Sequence, residues 1–186
     1  MEKVNRFALK EWAAVCEALA HGRQTILLRK GGLADSGGEF QLAHREFWLF
    51  PTRFHQDVAQ LKPDAVSLLE SVTPPTNGSV AISLYAIADE TYRLADHDLL
   101  ERIGEKHILS AETARDRFQY RDEGINVVVV RVLRLETPFV LNEAPHFAGC
   151  RSWVDLRNKL PTSGLVPVLS DAHYQAERDA IRGLLQ

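Results

Sequence analysis

Apolar residues recur at helical spacing near the start of the chain, at Leu9, Trp12, Ala13, Val15, Cys16 and Leu19. That pattern predicts an amphipathic helix over 6–20, ended by His21-Gly22 because glycine tolerates the left-handed cap conformation. The periodicity then changes. Residues 25–29 form an apolar run of strand length that stops at Arg29. Glycines at 31, 32, 37 and 38 mark a turn or loop before a second strand over 39–42. A third short apolar run, 47–50, is closed by Pro51. Helical patterning returns over 55–61 and over 64–72, the latter with Pro63 at its start. Residues 79–92, rich in Val, Ile and Tyr, predict one long strand or two joined by a bend. Helices follow over 96–103 and 110–121, the second with Ser110 as N-cap and Glu112 set favourably against the helix dipole. The clearest strand is 125–135, where four consecutive valines from Val127 imply burial on both faces. A final amphipathic helix spans 170–185, with Ser170 as its N-cap.

This order predicts an α+β fold, a mixed or mainly antiparallel small sheet with flanking helices. A length of 186 residues fits a single domain over 1–186. The linker signal at 73–78, Thr-Pro-Pro-Thr-Asn-Gly, is the one candidate subdivision. No stretch approaches the roughly 20 apolar residues that span a bilayer, so no membrane association is expected. The N-terminal residues lack the apolar core of a signal peptide, which makes a cytoplasmic location the default expectation.

A net charge of −3 gives no global push toward nucleic acid or membrane. The basic residues are nonetheless uneven in type, 16 of 22 being arginine. Arginine's planar fork suits phosphate or carboxylate, although an arginine-rich genome accounts for the same bias without any function. Cys16 and Cys150 are the only cysteines and have no Cys or His at ligand spacing, which argues against a structural zinc site. Cys16 lies in a helical pattern among alanines, the setting of a small buried hydrophobe. No metal and no cofactor is predicted, and the oligomeric state is not legible.

Polar groups that interrupt the apolar runs are the candidates for chemistry. Arg29 and Lys30 lead into Gly31-Gly32, so side-chain charge and backbone N–H groups could meet one anion. The glycine–lysine spacing of a phosphate-binding P-loop is absent. His44 and His55 flank the run Phe47-Trp48-Leu49-Phe50-Pro51, and either imidazole could serve as a general base or a ligand contact. Gln56 adjoins His55. Glu39 with the two histidines would be a metal set by residue type alone. Arg131 falls on the apolar stripe of its strand, where a cation must find an anion or reach solvent. Arg151 and Ser152 put polar groups in a tight turn before Trp153.

Four ordered motifs carry a resemblance. They are Leu27-Leu28-Arg29-Lys30-Gly31-Gly32-Leu33, the run from Phe47 to Gln56, Arg131-Val132-Leu133-Arg134-Leu135 with Pro138, and Gly149-Cys150-Arg151-Ser152-Trp153-Val154-Asp155-Leu156. Together the chain resembles the bacterial domain-of-unknown-function family 1802 over nearly its whole length. That family has no established activity, and an association of some members with restriction–modification components is implied. The opening, with Gly22-Arg23-Gln24-Thr25 and Arg29, is similar in fold signature to ASCH-type domains of the PUA-like superfamily. Those are small barrels that often bind RNA or modified bases, so the resemblance implies a PUA-like barrel here. Arg23 replaces the usual lysine of that opening.

Three functional expectations follow. The first is a protein that binds nucleic acid or another phosphate-bearing ligand through Arg29, Lys30, His55, Gln56, Arg131 and Arg151. The second is a phosphodiester or nucleotide hydrolase with His44 or His55 as general base. The third is a non-catalytic protein-interaction module.

Overall fold

The computed structural model describes residues 1–30, 34–36, 39–53, 56–71, 78–142, 144–149 and 151–186, with only the backbone described at 34–36 and 39–41. Nine strands and five α-helices are placed among them, so the chain is α+β as the patterning predicts. The strands are β1 (Val4–Trp12), β2 (Ile26–Arg29), β3 (Ala34–Ser36), β4 (Glu39–Gln41), β5 (Glu46–Thr52), β6 (Ser79–Leu94), β7 (Ile125–Asn142), β8 (Trp153–Pro161) and β9 (Val166–Pro167). The helices are α1 (Ala13–Ala20), α2 (Val66–Ser71), α3 (His97–Arg102), α4 (Ala111–Gln119) and α5 (Asp171–Leu185).

Seven strands form one open sheet in the order β2-β7-β6-β5-β1-β8, with β9 paired to β7. Among the described residues, only β1 and β5 run parallel; the other pairings are antiparallel. The sheet is therefore mixed and mainly antiparallel. β3 and β4 pair separately as a hairpin. The segment 72–77, which holds most of the candidate linker at 73–78, lies outside the described residues. β5 before it and β6 after it are neighbours in the same sheet.

The patterning misplaces the first element. Residues 4–12 are strand, and helix begins only at Ala13. The reason is that β1 lies between β5 and β8, with Ala8 and Leu9 fully buried on opposite faces. A strand covered on both faces loses its alternation, and its apolar residues then merge into the spacing of the helix that follows. The helix expected over 55–61 is also replaced. His55 is outside the described residues, and residues 58–60 make a single 3-10 turn capped by Asp57. The next segment is a 3-10 turn over Pro63–Ala65 followed by the short α2.

The long strands and late helices agree with their local signals. β6 and β7 pair along most of their length, with bulges near Ser83 and Asp89. Val127, Val128, Val129 and Val130 are all fully buried. The Ser110 and Ser170 hydroxyls accept hydrogen bonds from Thr113 N and His173 N, the expected caps of α4 and α5. One core cluster joins the helices to the sheet through Leu19, Leu27, Phe47, Phe118 and Ile181. A second, around Trp48, Tyr85, Phe147 and Leu156, covers the other face.

One turn sets the position of the candidate site. Gly124, just before β7, has φ +113°, and a Cβ there would lie 2.6 Å from Arg93 Nη2 and 2.8 Å from the Leu94 carbonyl. Gly124→Ala is expected to cost about 2–3 kcal/mol, from strain and a backbone clash together. Urea unfolding of the two proteins measures this difference.

Candidate functional site

Glu11, near the end of β1, is a carboxylate that is only 4% exposed. Its Oε1 accepts the Trp12 amide at 2.9 Å, at the entry to α1. Its Oε2 meets Arg29 Nη1 at 3.0 Å. Arg29 closes β2 and also donates to the Lys10 carbonyl at 3.0 Å. From the last turn of α4, Arg117 places its guanidinium 4.2 Å from the centroid of the Trp12 ring and donates to the Leu28 carbonyl at 3.4 Å. Burial lowers the Arg117 pKa; the nearby Glu11 raises it and Arg29 lowers it again. Among the described residues, two guanidiniums thus lie near one carboxylate, which leaves an excess of positive charge at a largely buried site.

Behind this cluster lies a small void of about 10 Å³, lined by Glu11, Val15, Gln24, Leu28, His107, Leu109 and Arg117. His107 is 5% exposed, and neither of its ring nitrogens has a hydrogen-bond partner. Burial first, then the cations Lys62 and Arg117, lower its pKa to about 4. The Leu109 backbone acts in the opposite direction and is the smallest of these influences. The imidazole is therefore neutral at physiological pH. Gln24 braces the same wall, donating to Ile26 O at 2.6 Å and accepting from Ile108 N at 3.1 Å.

Of the residues singled out by sequence, Arg29 alone among the described ones joins this cluster. Lys30 points to the end of α4, where Nζ donates to the carbonyls of Phe118 and Gly124 at 2.8 Å each and to that of Asp122. Three acceptors match its three donors, so Lys30 closes a helix end. Gln56 bridges the Thr52 carbonyl and the Ala14 amide (3.1 Å), supplying a cap to α1 that Trp12 lacks. Arg131 pairs with Asp171 and lies 5.7 Å from the Tyr174 ring centroid, against α5. Arg29 is paired in register with Asn126, so Arg131 is five residues further along β7, about 17 Å away. Arg151 is exposed on the approach to β8.

His44 stacks on Phe7 at 3.7 Å and meets the edge of Trp153 at 4.9 Å. Burial lowers its pKa, against the pull of Glu2. It has no carboxylate partner among the described residues, as a general base would require. His55 and the Glu39 side chain lie outside them, and so does the metal set they would form with His44. Arg23 binds the carboxylate and carbonyl of Asp64. Among the described residues, His97, Asp98 and Glu101 on α3 could together hold a metal ion. Asp98 and Glu101 are exposed, and His97 already faces Arg115 at 3.3 Å.

Sequence patterning missed Glu11, Arg117 and His107. Glu11 carried no usable signal, because it follows Lys10 in a stretch whose spacing imitates a helix. Arg117 and His107 carried none, since no motif surrounds either.

The sequence model of the domain of unknown function DUF1802 matches residues 8–180. The chain belongs to the DUF1802 family. No curated protein matches it. Among solved structures it is similar to ASCH from Zymomonas mobilis, at 17% identity and a TM-score of 0.42, covering 96% of this chain and 94% of that one. A substituted form of that protein aligns at 16% identity and a TM-score of 0.44, covering 93% of this chain and 96% of the other. All four DUF1802 motifs read from the sequence fall within the matched residues. Their described residues do not converge on one site: Arg29 lies beside Glu11, Arg131 beside Asp171, and Phe47 meets the edge of Trp153. The helices of this DUF1802 chain include none long and apolar enough to cross a membrane, among the described residues.

Proposed function

We propose that this DUF1802 protein binds a phosphate-bearing ligand, nucleic acid foremost, at the Arg29–Arg117 pair. The observation that carries the proposal is the charge imbalance: among the described residues, two guanidiniums near a single carboxylate. Burying charge is costly unless it is balanced, and a phosphate oxygen placed beside Arg29 would balance the excess. The Arg29 side chain keeps 13% of its surface open, which leaves an anion a route to it. Lys30 takes no part, because its donors are occupied by carbonyls. A role beside restriction–modification components is the narrower form of the proposal. It rests on the family resemblance and on no feature of the site.

Fluorescence anisotropy with labelled single-stranded RNA and DNA oligonucleotides, across a salt series, tests the proposal. Affinity should fall as salt rises, in proportion to the phosphates neutralised. Arg117→Gln should weaken binding by about tenfold, the effect of one lost charged contact. Glu11→Gln keeps the acceptor for the Trp12 amide while removing the competing negative charge, so it should tighten binding. Absence of binding at every salt concentration, or weaker binding by Glu11→Gln, would count against the site.

A further inference from the structure

A larger cavity lies on the opposite face of α1. Its volume is about 270 Å³, well above the roughly 150 Å³ at which an apolar cavity takes up benzene. Val15 faces the void behind Glu11, whereas Ala13, Cys16, Glu17 and Ala20 line this second space. Those positions recur at three- and four-residue spacing, so they form one helix face. Three of the four are small, and that is why α1 leaves room against the sheet. Leu49, Val80 and Leu84 form apolar walls from β5 and β6. Ser71, Ser83, the Glu17 carboxylate and the Arg53 guanidinium add polar groups, and the two charges offset each other. Burial, ahead of the charges of Glu11 and Glu17, pushes the Cys16 thiol well above its usual range, so it stays a neutral, apolar wall.

We infer that this cavity is a binding site for a compact, uncharged aromatic molecule carrying an N–H donor, with the ring between α1 and β6 and the donor toward Glu17. The apolar walls provide the driving force and the few polar groups fix orientation, the usual division of labour in small-molecule sites. Glu17 is the acceptor that the donor requires. Its present neighbour, His21, is 3.8 Å away and charged only when protonated, so the carboxylate can accept a further hydrogen bond. The volume lies just below the roughly 300–1,000 Å³ of pockets for drug-sized ligands, which suits one small ring system. The site does not depend on the arginine pair, and either can fail without the other.

Indole is the probe. Titrated into the full-length ¹⁵N-labelled protein, it should bind at millimolar concentration or tighter and shift the amide signals of residues 16–20 and 81–84. Ala20→Phe fills the space from the helix side and Ser83→Leu from the sheet side. Each should weaken indole binding at least tenfold while the remaining amide spectrum stays folded. Shifts confined to other residues, no shifts at all, or undiminished binding in whichever filled variant folds would overturn the inference.

Discussion

Arg29→Met is expected to lower the unfolding free energy by about 3 kcal/mol, the lower end of what losing one partner of a buried ion pair costs. The loss arises on the other side of the pair. Glu11 is buried, and without Arg29 its Oε2 keeps only the more distant field of Arg117. The Lys10 carbonyl also loses a donor. Glu11→Gln on its own should cost less, because the amide still accepts from Trp12 N and leaves no buried negative charge. The double variant separates the two effects. If charge is the cause, adding Glu11→Gln to Arg29→Met should restore about half the loss, measured by urea unfolding at neutral pH. An additive loss in the double variant would place the cost in the packing of the Arg29 stem instead.

This pair also shows what the sequence could reveal and what it could not. Arg29 was legible because a cation at the end of an apolar run is conspicuous. Its partner was not, since Glu11 is 18 residues away and belongs to a stretch whose spacing imitates a helix. Arg117 reaches Leu28 across 89 residues, a contact that only the packing of α4 on β2 creates. Lys30 illustrates a different limit. Adjacent strand positions point to opposite faces, so Arg29 and Lys30 could not both approach one anion while the strand stays regular. Lys30 accordingly turns to the carbonyls at the end of α4.

Legibility was highest where one local interaction determines the outcome. Ser110 and Ser170 cap their helices as expected because capping depends on a few neighbouring residues. β7 is evident from its valines, although it runs seven residues past the expected end at 135. The extension follows from β6, which pairs with that half of β7 from Ser79↔Asn142 onward. Strand length is thus set by the partner, which patterning within one segment does not contain. The same holds for the α1 cap, supplied by Gln56 from 42 residues away.

Stability should also fall on acidification through His107. Its folded-state pKa is about 4 against an ordinary value of 6.5. Between those values the unfolded chain binds a proton that the folded protein refuses. Stability is therefore complete above about pH 6.5 and declines as pH falls toward 4, below which this contribution is fully lost. A difference of that size corresponds to about 3 kcal/mol, at roughly 1.4 kcal/mol per unit. The groups facing His107 reinforce this direction, since Lys62 and Arg117 are cations and the one carboxylate lining the void, Glu11, is engaged by Arg29. The check is urea unfolding at intervals from pH 7.5 to 4.5 for the parent and for His107→Leu. Both proteins share the carboxylate titrations, such as that of Glu90, whose pKa is lowered chiefly by the hydrogen bond from Arg182. Those contributions cancel in the difference. The parent should lose more stability than the variant over that range, with the excess concentrated below pH 6.5. Parallel curves would mean that His107 is hydrogen-bonded or hydrated well enough to take up its proton without cost.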